Sequence, residues 1–231
     1  MDIDLIIKYG PRMVDGLIVT LQLVGISLVI GALISLPVTA MRLSSNKALR
    51  VISYIYVYFF RGSPLLAQLF LVYYGSGQLR PFFQDIGLWW FFRDAWYCAL
   101  FVFSLNTAAY QAEILRGGIL GVDRGQHEAA KAFGLGPAVT FFKVILPQAL
   151  ISTLRPYGNE VILMIKGSAI ASVVTIFDLL GATKLAFSRT FDFEIFLLAA
   201  LMYLAVVEVI RFVWERMDRR LTRHLRQISD Q

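Results

Sequence analysis

Long unbroken runs of apolar residues, separated by short clusters of charge, dominate this chain. They lie at about 13–40, 63–79, 95–115, 159–180 and 193–213. A helix needs about 20 mostly apolar residues to cross the hydrocarbon core of a bilayer. No water is present there to pair backbone groups, so each run predicts a helix. The pattern therefore describes an all-α membrane protein with about five transmembrane helices. Two flanking segments are harder to place. Residues 48–60 are apolar and aromatic, and we read them as a short interfacial helix feeding the second span. Ser63-Pro64 suits the start of that span, with Ser63 as the N-cap and Pro64 at the first helical position. The aromatic segment 81–96, with Asp85, Arg93 and Asp94 crowding Trp89-Trp90-Phe91-Phe92, fits an outer-face aromatic belt better than a sixth span.

Composition agrees with the pattern. Of the 231 residues 58% are hydrophobic and only 16% charged, with a mean hydropathy of +0.65. A soluble domain carries about 25% charged residues. The net charge of +6 does not point to nucleic acid, because the basic residues flank the apolar runs. Cys98 is the single cysteine, which excludes an intrachain disulfide or a cysteine-rich metal site. The acidic start, Met1-Asp2-Ile3-Asp4, and the length of the first run argue against a cleaved signal peptide.

Lysine and arginine set the orientation. One side holds Arg42, Lys47, Arg50 and Arg61, then Arg116, Arg124, Lys131, Lys143 and Arg155, then the arginines from Arg211 to Arg226. The other side holds only Lys8, Arg12, Arg80, Arg93, Lys184 and Arg189. The richer side is cytoplasmic by the positive-inside rule. The N-terminus is then outside and the C-terminus inside, as five spans require. The whole chain, 1–231, reads as one transmembrane domain with a cytoplasmic loop at 116–156 and a basic tail at 214–231. In that tail Arg219, Arg220, Arg223 and Arg226 can reach anionic lipid headgroups.

The loop between the third and fourth spans is long for a helix connection, which favours a functional role. Asp123 can cap a helix over 123–133, and Gly134 and Gly136-Pro137 break it. Ala138, Val139, Phe141, Phe142, Ile145 and Leu146 predict a second, amphipathic helix bounded by Pro147 and Pro156, its apolar stripe toward the membrane. The small Ala129 and Ala130 permit close approach by a partner, and Glu128 offers it a charge.

Glu128-Ala129-Ala130, three intervening residues, Gly134, nine intervening residues and Val144-Ile145-Leu146-Pro147 resemble the EAA motif of ABC importer permeases; only Val144 departs from it. Phe60-Arg61-Gly62-Ser63-Pro64-Leu65 and Leu105-Asn106-Thr107-Ala108-Ala109-Tyr110-Gln111-Ala112-Glu113 are similar to stretches of polar amino-acid permeases. Asn159–Met164 is similar to the M-type subunits of histidine and opine systems. The resemblance implies a type I ABC importer permease fold. It implies that Glu128, Ala129, Ala130, Gly134, Leu146 and Pro147 belong to the element that docks on a cytoplasmic ABC ATPase dimer. It also implies a second permease subunit, a related chain or an identical copy, with the M-type similarity favouring a related chain. A periplasmic solute-binding protein and placement in the bacterial inner membrane are implied as well. The chain has no G-x-x-x-x-G-K-[ST] phosphate loop, so ATP and magnesium would sit on the partner, with no cofactor on this chain.

Polar residues inside spans are candidates for the solute path. Ser168, Ser172 and Thr175 share one helical face, and Asn106 and Tyr110 another. Glu160, Glu113 and Asp178 lie nearer the span ends, and Lys166 lies opposite the hydroxyl face. Packing between helices is the competing role for the small hydroxyls. The family's K-D-[ST]-[ST] stretch is Lys166-Gly167-Ser168-Ala169 here, so an aspartate able to hold a substrate ammonium is missing. An ion-coupled secondary transporter is the other class considered. It would need paired broken helices and internal repeats, and neither is visible. No nucleophile–base pair or metal-ligand cluster suggests an enzyme, and His127 and His224 stand apart.

Overall fold

The computed structural model describes residues 3–222, and among these every regular element is a helix. Helix α1 (Ile3–Leu43) is followed by α2 (Lys47–Gly62), α3 (Leu65–Gln78), the short α4 (Arg80–Asp85) and α5 (Trp89–Phe92), and α6 (Ala95–Leu120). Then come α7 (Arg124–Ala132), α8 (Pro137–Thr140), a π-helical turn (Phe141–Ile145), α9 (Leu146–Gly167), a 3₁₀ segment (Ser168–Val174), α10 (Leu179–Thr190) and α11 (Glu194–Leu221). Four helical stretches are long and apolar enough to cross a bilayer: Leu5–Leu43, Ala95–Leu120, Pro137–Val174 and Glu194–Leu221. The pair α2 and α3, bent by 102° at Ser63-Pro64, is apolar enough to make a fifth crossing if the two are taken as one broken span. Arg223, His224 and Arg226 of the basic tail lie outside the described residues.

The bend between α2 and α3 follows from one proline. Ser63 closes α2, its N–H and its hydroxyl both donating to the Phe59 carbonyl, and Pro64 is the N-cap of α3 without a side-chain cap. This corrects the expectation that Ser63 caps the second span. α3 has 14 residues, about 21 Å, too short for a hydrocarbon core of about 30 Å. α2 turns away from α3 by 102° at this point.

The second correction concerns the fourth span. Pro147 and Pro156 were expected to bound the amphipathic helix, but one helical stretch runs from Pro137 through Val174. Pro147 lacks an N–H and would clash with the carbonyl four residues before it. The π turn just ahead of it relieves this: Leu146 N–H bonds to the carbonyl of Phe141, five residues back. Pro156 lies inside α9, where Ala149, Thr153 and Gly158 are buried against neighbouring helices.

The main apolar core lies among α1, α3, α6, α9 and the 3₁₀ segment, with Leu23, Leu69, Phe103, Ile165 and Val174 buried. A second cluster ties the start of α1 to α10 and α11 through Tyr9, Met13, Leu179, Ala186 and Ile195. α9 and α11 approach closely at Gly158. A Cβ there would lie 2.5 Å from the Trp214 ring, and Trp214 Nε1 donates to the Leu154 carbonyl at 2.6 Å. These contacts hold α9 and α11 together.

Candidate functional site

The helix-break-helix expected on the cytoplasmic side is present, and its two ends are built by identifiable groups. Asp123 caps α7 by accepting from Gly125 N–H at 2.6 Å. At the other end Gly134 adopts φ +71°. Gly134 N–H bonds to the Lys131 carbonyl and Leu135 N–H to the Ala130 carbonyl, both at 3.0 Å. This pair of bonds is the Schellman closure, which favours glycine at the left-handed position. α7 is thereby held as a short protruding helix. Glu128, Ala129 and Gly134 are exposed, while Ala130 faces inward at 2% exposure. Of the two alanines only Ala129 is offered to a partner. Phe133, 84% exposed, stands on the same protrusion and was not singled out in the sequence. Gln148 Nε2 donates to Gln126 Oε1 at 3.2 Å, joining α7 to the start of α9 beside Leu146 and the exposed Pro147.

Asn106 and Tyr110, predicted to line a path, both donate to carbonyls at the end of α2. Pro64 lacks the N–H that would have bonded to the Phe60 carbonyl, leaving that oxygen unsatisfied. Asn106 Nδ2 donates to it at 2.9 Å and Gln68 Nε2 at 3.0 Å. Asn106 Nδ2 also donates to Gln68 Oε1 at 3.0 Å, and Gln68 Nε2 to Ser63 Oγ at 2.8 Å. The next carbonyl, of Arg61, accepts from the Tyr110 hydroxyl at 3.4 Å. The two family-like stretches, 60–65 and 105–113, are thus two sides of one joint. Gln68 carried no signal in the sequence beyond being a polar residue in an apolar run.

One helical turn further along α6, Glu113 gathers three arginines from three helices. Arg42 Nε lies 2.8 Å from Oε1, Arg116 Nη2 2.9 Å from Oε2 and Arg61 Nη1 4.0 Å from Oε2. Sequence reading used these arginines only for topology; their separation along the chain hid the cluster. Deeper in the bundle Glu160 is buried and accepts from Thr107 Oγ1 at 2.8 Å. Gln111 Nε2 donates to the same Thr107 oxygen and to the Leu28 carbonyl, and Tyr157 donates to the Gln111 carbonyl. This chain of bonds ties α1, α6 and α9 together around Glu160.

The hydroxyl face on the fourth span does not form. Residues 168–174 are 3₁₀ helix, with three residues per turn, so Ser168 and Ser172 sit about 120° apart. Thr175 ends the segment with φ 66°. Ser168 is buried and donates to the Ile165 carbonyl. Ser172 donates to the Ala169 carbonyl and accepts from Lys184 Nζ at 3.0 Å. Asp178 caps α10 through Gly181 N–H, and Lys166 is exposed on α9. Among the described residues no group of three or more His, Cys, Asp or Glu is placed to hold a metal.

Similarity to known proteins gives this arrangement its context. Residues 23–223 match the family model described as binding-protein-dependent transport system inner membrane component. The chain is 44% identical over 211 residues to the nopaline transport system permease protein NocM of Agrobacterium fabrum, covering 91% of this chain and 88% of that one. It is 37% identical to the histidine/lysine/arginine/ornithine transport system permease protein HisM of Salmonella typhimurium, covering 91% and 90%. A crystal structure of an amino acid ABC transporter with histidines superposes with a TM-score of 0.85 at 34% identity, covering 95% of this chain and 99% of that one. The methionine transporter MetNI shares the fold, with a TM-score of 0.74 at 22% identity. This chain therefore belongs to the family of inner membrane permease components of binding-protein-dependent transport systems.

Proposed function

We propose that this permease is the membrane-spanning subunit of an ATP-driven ABC importer for a polar, basic amino acid or an opine, working in the bacterial inner membrane. The observation that carries the coupling mechanism is α7. It protrudes on the arginine-rich side, is closed at both ends by its own caps, and lies beside a helix that runs without a break from Pro137 into the membrane. A force applied at Glu128, Ala129 and Gly134 would pass through the turn to Leu146 and Pro147 and on to the span. A cytoplasmic ABC ATPase dimer, binding ATP and magnesium, would supply that force. A second permease, a related chain, would complete the path, and a periplasmic solute-binding protein would deliver the solute. The names of the relatives, which cover nopaline and the basic amino acids, support the solute class. Glu160 is the interior residue we assign to solute contact; Asn106 and Ser168 already spend their polar groups on backbone carbonyls. An ion-coupled carrier is the competing class, and the family speaks against it.

The test is reconstitution with the ATPase, the second permease and the binding protein in liposomes. Glu128→Arg and Gly134→Trp are expected to abolish ATPase co-purification and ATP-dependent uptake. Unchanged assembly and uptake in both would overturn the coupling role. The solute itself is read from ligand titrations of the binding protein.

A further inference from the structure

Three arginines converge on the one carboxylate of Glu113, leaving a local charge of +2. Their donors are far from used. A guanidinium carries five N–H groups and accepts nothing. Arg42 gives only Nε to Glu113, and Arg61 makes an ion contact at 4.0 Å without a hydrogen bond. Both guanidinium groups lie over tyrosine rings: Arg42 is 5.2 Å from the centroid of Tyr54, and Arg61 is 5.1 Å from that of Tyr110. Stacking engages the faces of these planes and leaves their N–H edges for an oxyanion. Beside them is a cavity of about 280 Å³ lined by Arg42, Arg61, Tyr54, Tyr58, Tyr110 and Glu113.

The position of the cavity narrows its occupant. Arg42 lies in the last turn of α1, at the cytoplasmic end of that span, so the cavity sits at headgroup level. The adjoining helix α2 exposes Val51, Ile52, Ile55 and Phe59, a surface suited to acyl chains. Lys47 and Arg50 are exposed at the start of the same helix and add positive charge. We propose that this cavity binds the phosphodiester headgroup of an anionic phospholipid from the cytoplasmic leaflet, its chains lying along α2. Arginine edges meet the phosphate oxygens, the geometry that favours guanidinium over ammonium. The bound lipid bridges α1, α2 and α6 at the joint that also holds the bend. The inference needs only the membrane placement of these helices, not the identity of the transported solute.

The experiment uses the purified permease in its transporter complex, exchanged into detergent and titrated with phosphatidylglycerol or phosphatidylcholine of equal chain length. Retained lipid is counted by native mass spectrometry. Phosphatidylglycerol is expected to be retained about tenfold over phosphatidylcholine, whose choline cation is repelled by the local +2 charge although its phosphate is the same. Arg61→Gln should remove about that preference. Arg61 is chosen because it makes no hydrogen bond to Glu113, so the fold should survive; the thermal unfolding of the variant in phosphatidylcholine checks this. If Arg61→Gln unfolds, Tyr58→Leu, at an exposed wall of the cavity, replaces it and should also weaken retention. Arg50→Gln, outside the cavity, should have the smaller effect. Equal retention of the two lipids would overturn the proposal, as would an Arg50→Gln effect as large as that of Arg61→Gln. Displacement of phosphatidylglycerol by an equal concentration of inorganic phosphate would make this a soluble-anion site and overturn the lipid assignment.

Discussion

Replacing Asn106 by leucine tests whether this residue holds the bend or lines a path. The two side chains are close in size, so the change mainly removes polar bonds. Two are lost: Asn106 Nδ2 to the Phe60 carbonyl at 2.9 Å and to Gln68 Oε1 at 3.0 Å. Hydrogen bonds between membrane helices average about 0.6 kcal/mol each, giving about 1 kcal/mol for the pair. The Phe60 carbonyl keeps Gln68 Nε2. Gln68 Oε1 keeps no other bond, and Gln68 is buried at 4% exposure. A buried polar atom left unsatisfied adds about 1–3 kcal/mol. The expected loss is therefore about 2–4 kcal/mol, a large fraction of typical stability. The assay is reversible unfolding in mixed micelles, with Gln68→Leu and the double variant completing a cycle. The two single losses should overlap, with a coupling of about 1–2 kcal/mol, because they share one network. A loss below about 0.5 kcal/mol with additive singles, together with abolished uptake, would refute the joint and return Asn106 to the path.

Three further outcomes follow from local geometry. Gly134→Ala meets no atom within 4 Å but must hold φ +71°, so it should cost about 1–2 kcal/mol in the same unfolding assay; Gly134→Asn should cost less. Gly158→Ala pushes a Cβ onto the Trp214 ring at 2.5 Å and should cost about 1–3 kcal/mol. Trp214→Leu in the same chain should recover part of that loss, and failure to do so would remove the clash as its cause. Arg155→Ala breaks the ion pair with Asp218, but Arg155 is 75% exposed, so unfolding should shift by less than about 1 kcal/mol.

The helical form of the spans was legible because a bilayer leaves the backbone no other solution. The protruding helix was legible for a local reason: Asp123, Gly134 and Gly136-Pro137 act within a few residues of themselves. Two proline readings failed, and both failures have a tertiary cause. Pro156 did not end its helix because Ala149, Thr153 and Gly158 pack against other helices and keep the segment helical on either side of it. Pro147 did not either, because a π turn absorbed its missing bond. Ser168, Ser172 and Thr175 were placed with an α-helical period that the 3₁₀ segment does not keep.

What the chain alone determined is therefore what depends on short-range rules: apolar run length, charge asymmetry across the membrane, and the caps of α7. Only the folded bundle decided which polar side chains meet. Asn106 reaches a carbonyl 46 residues away and Arg42 a carboxylate 71 residues away. Neither pairing leaves a periodic trace in sequence. The physical reason is that an unpaired carbonyl inside a membrane must find a donor wherever the packing brings one. Here the carbonyl exposed by Pro64 found Asn106 and Gln68, donors that lie 46 and 8 residues along the chain.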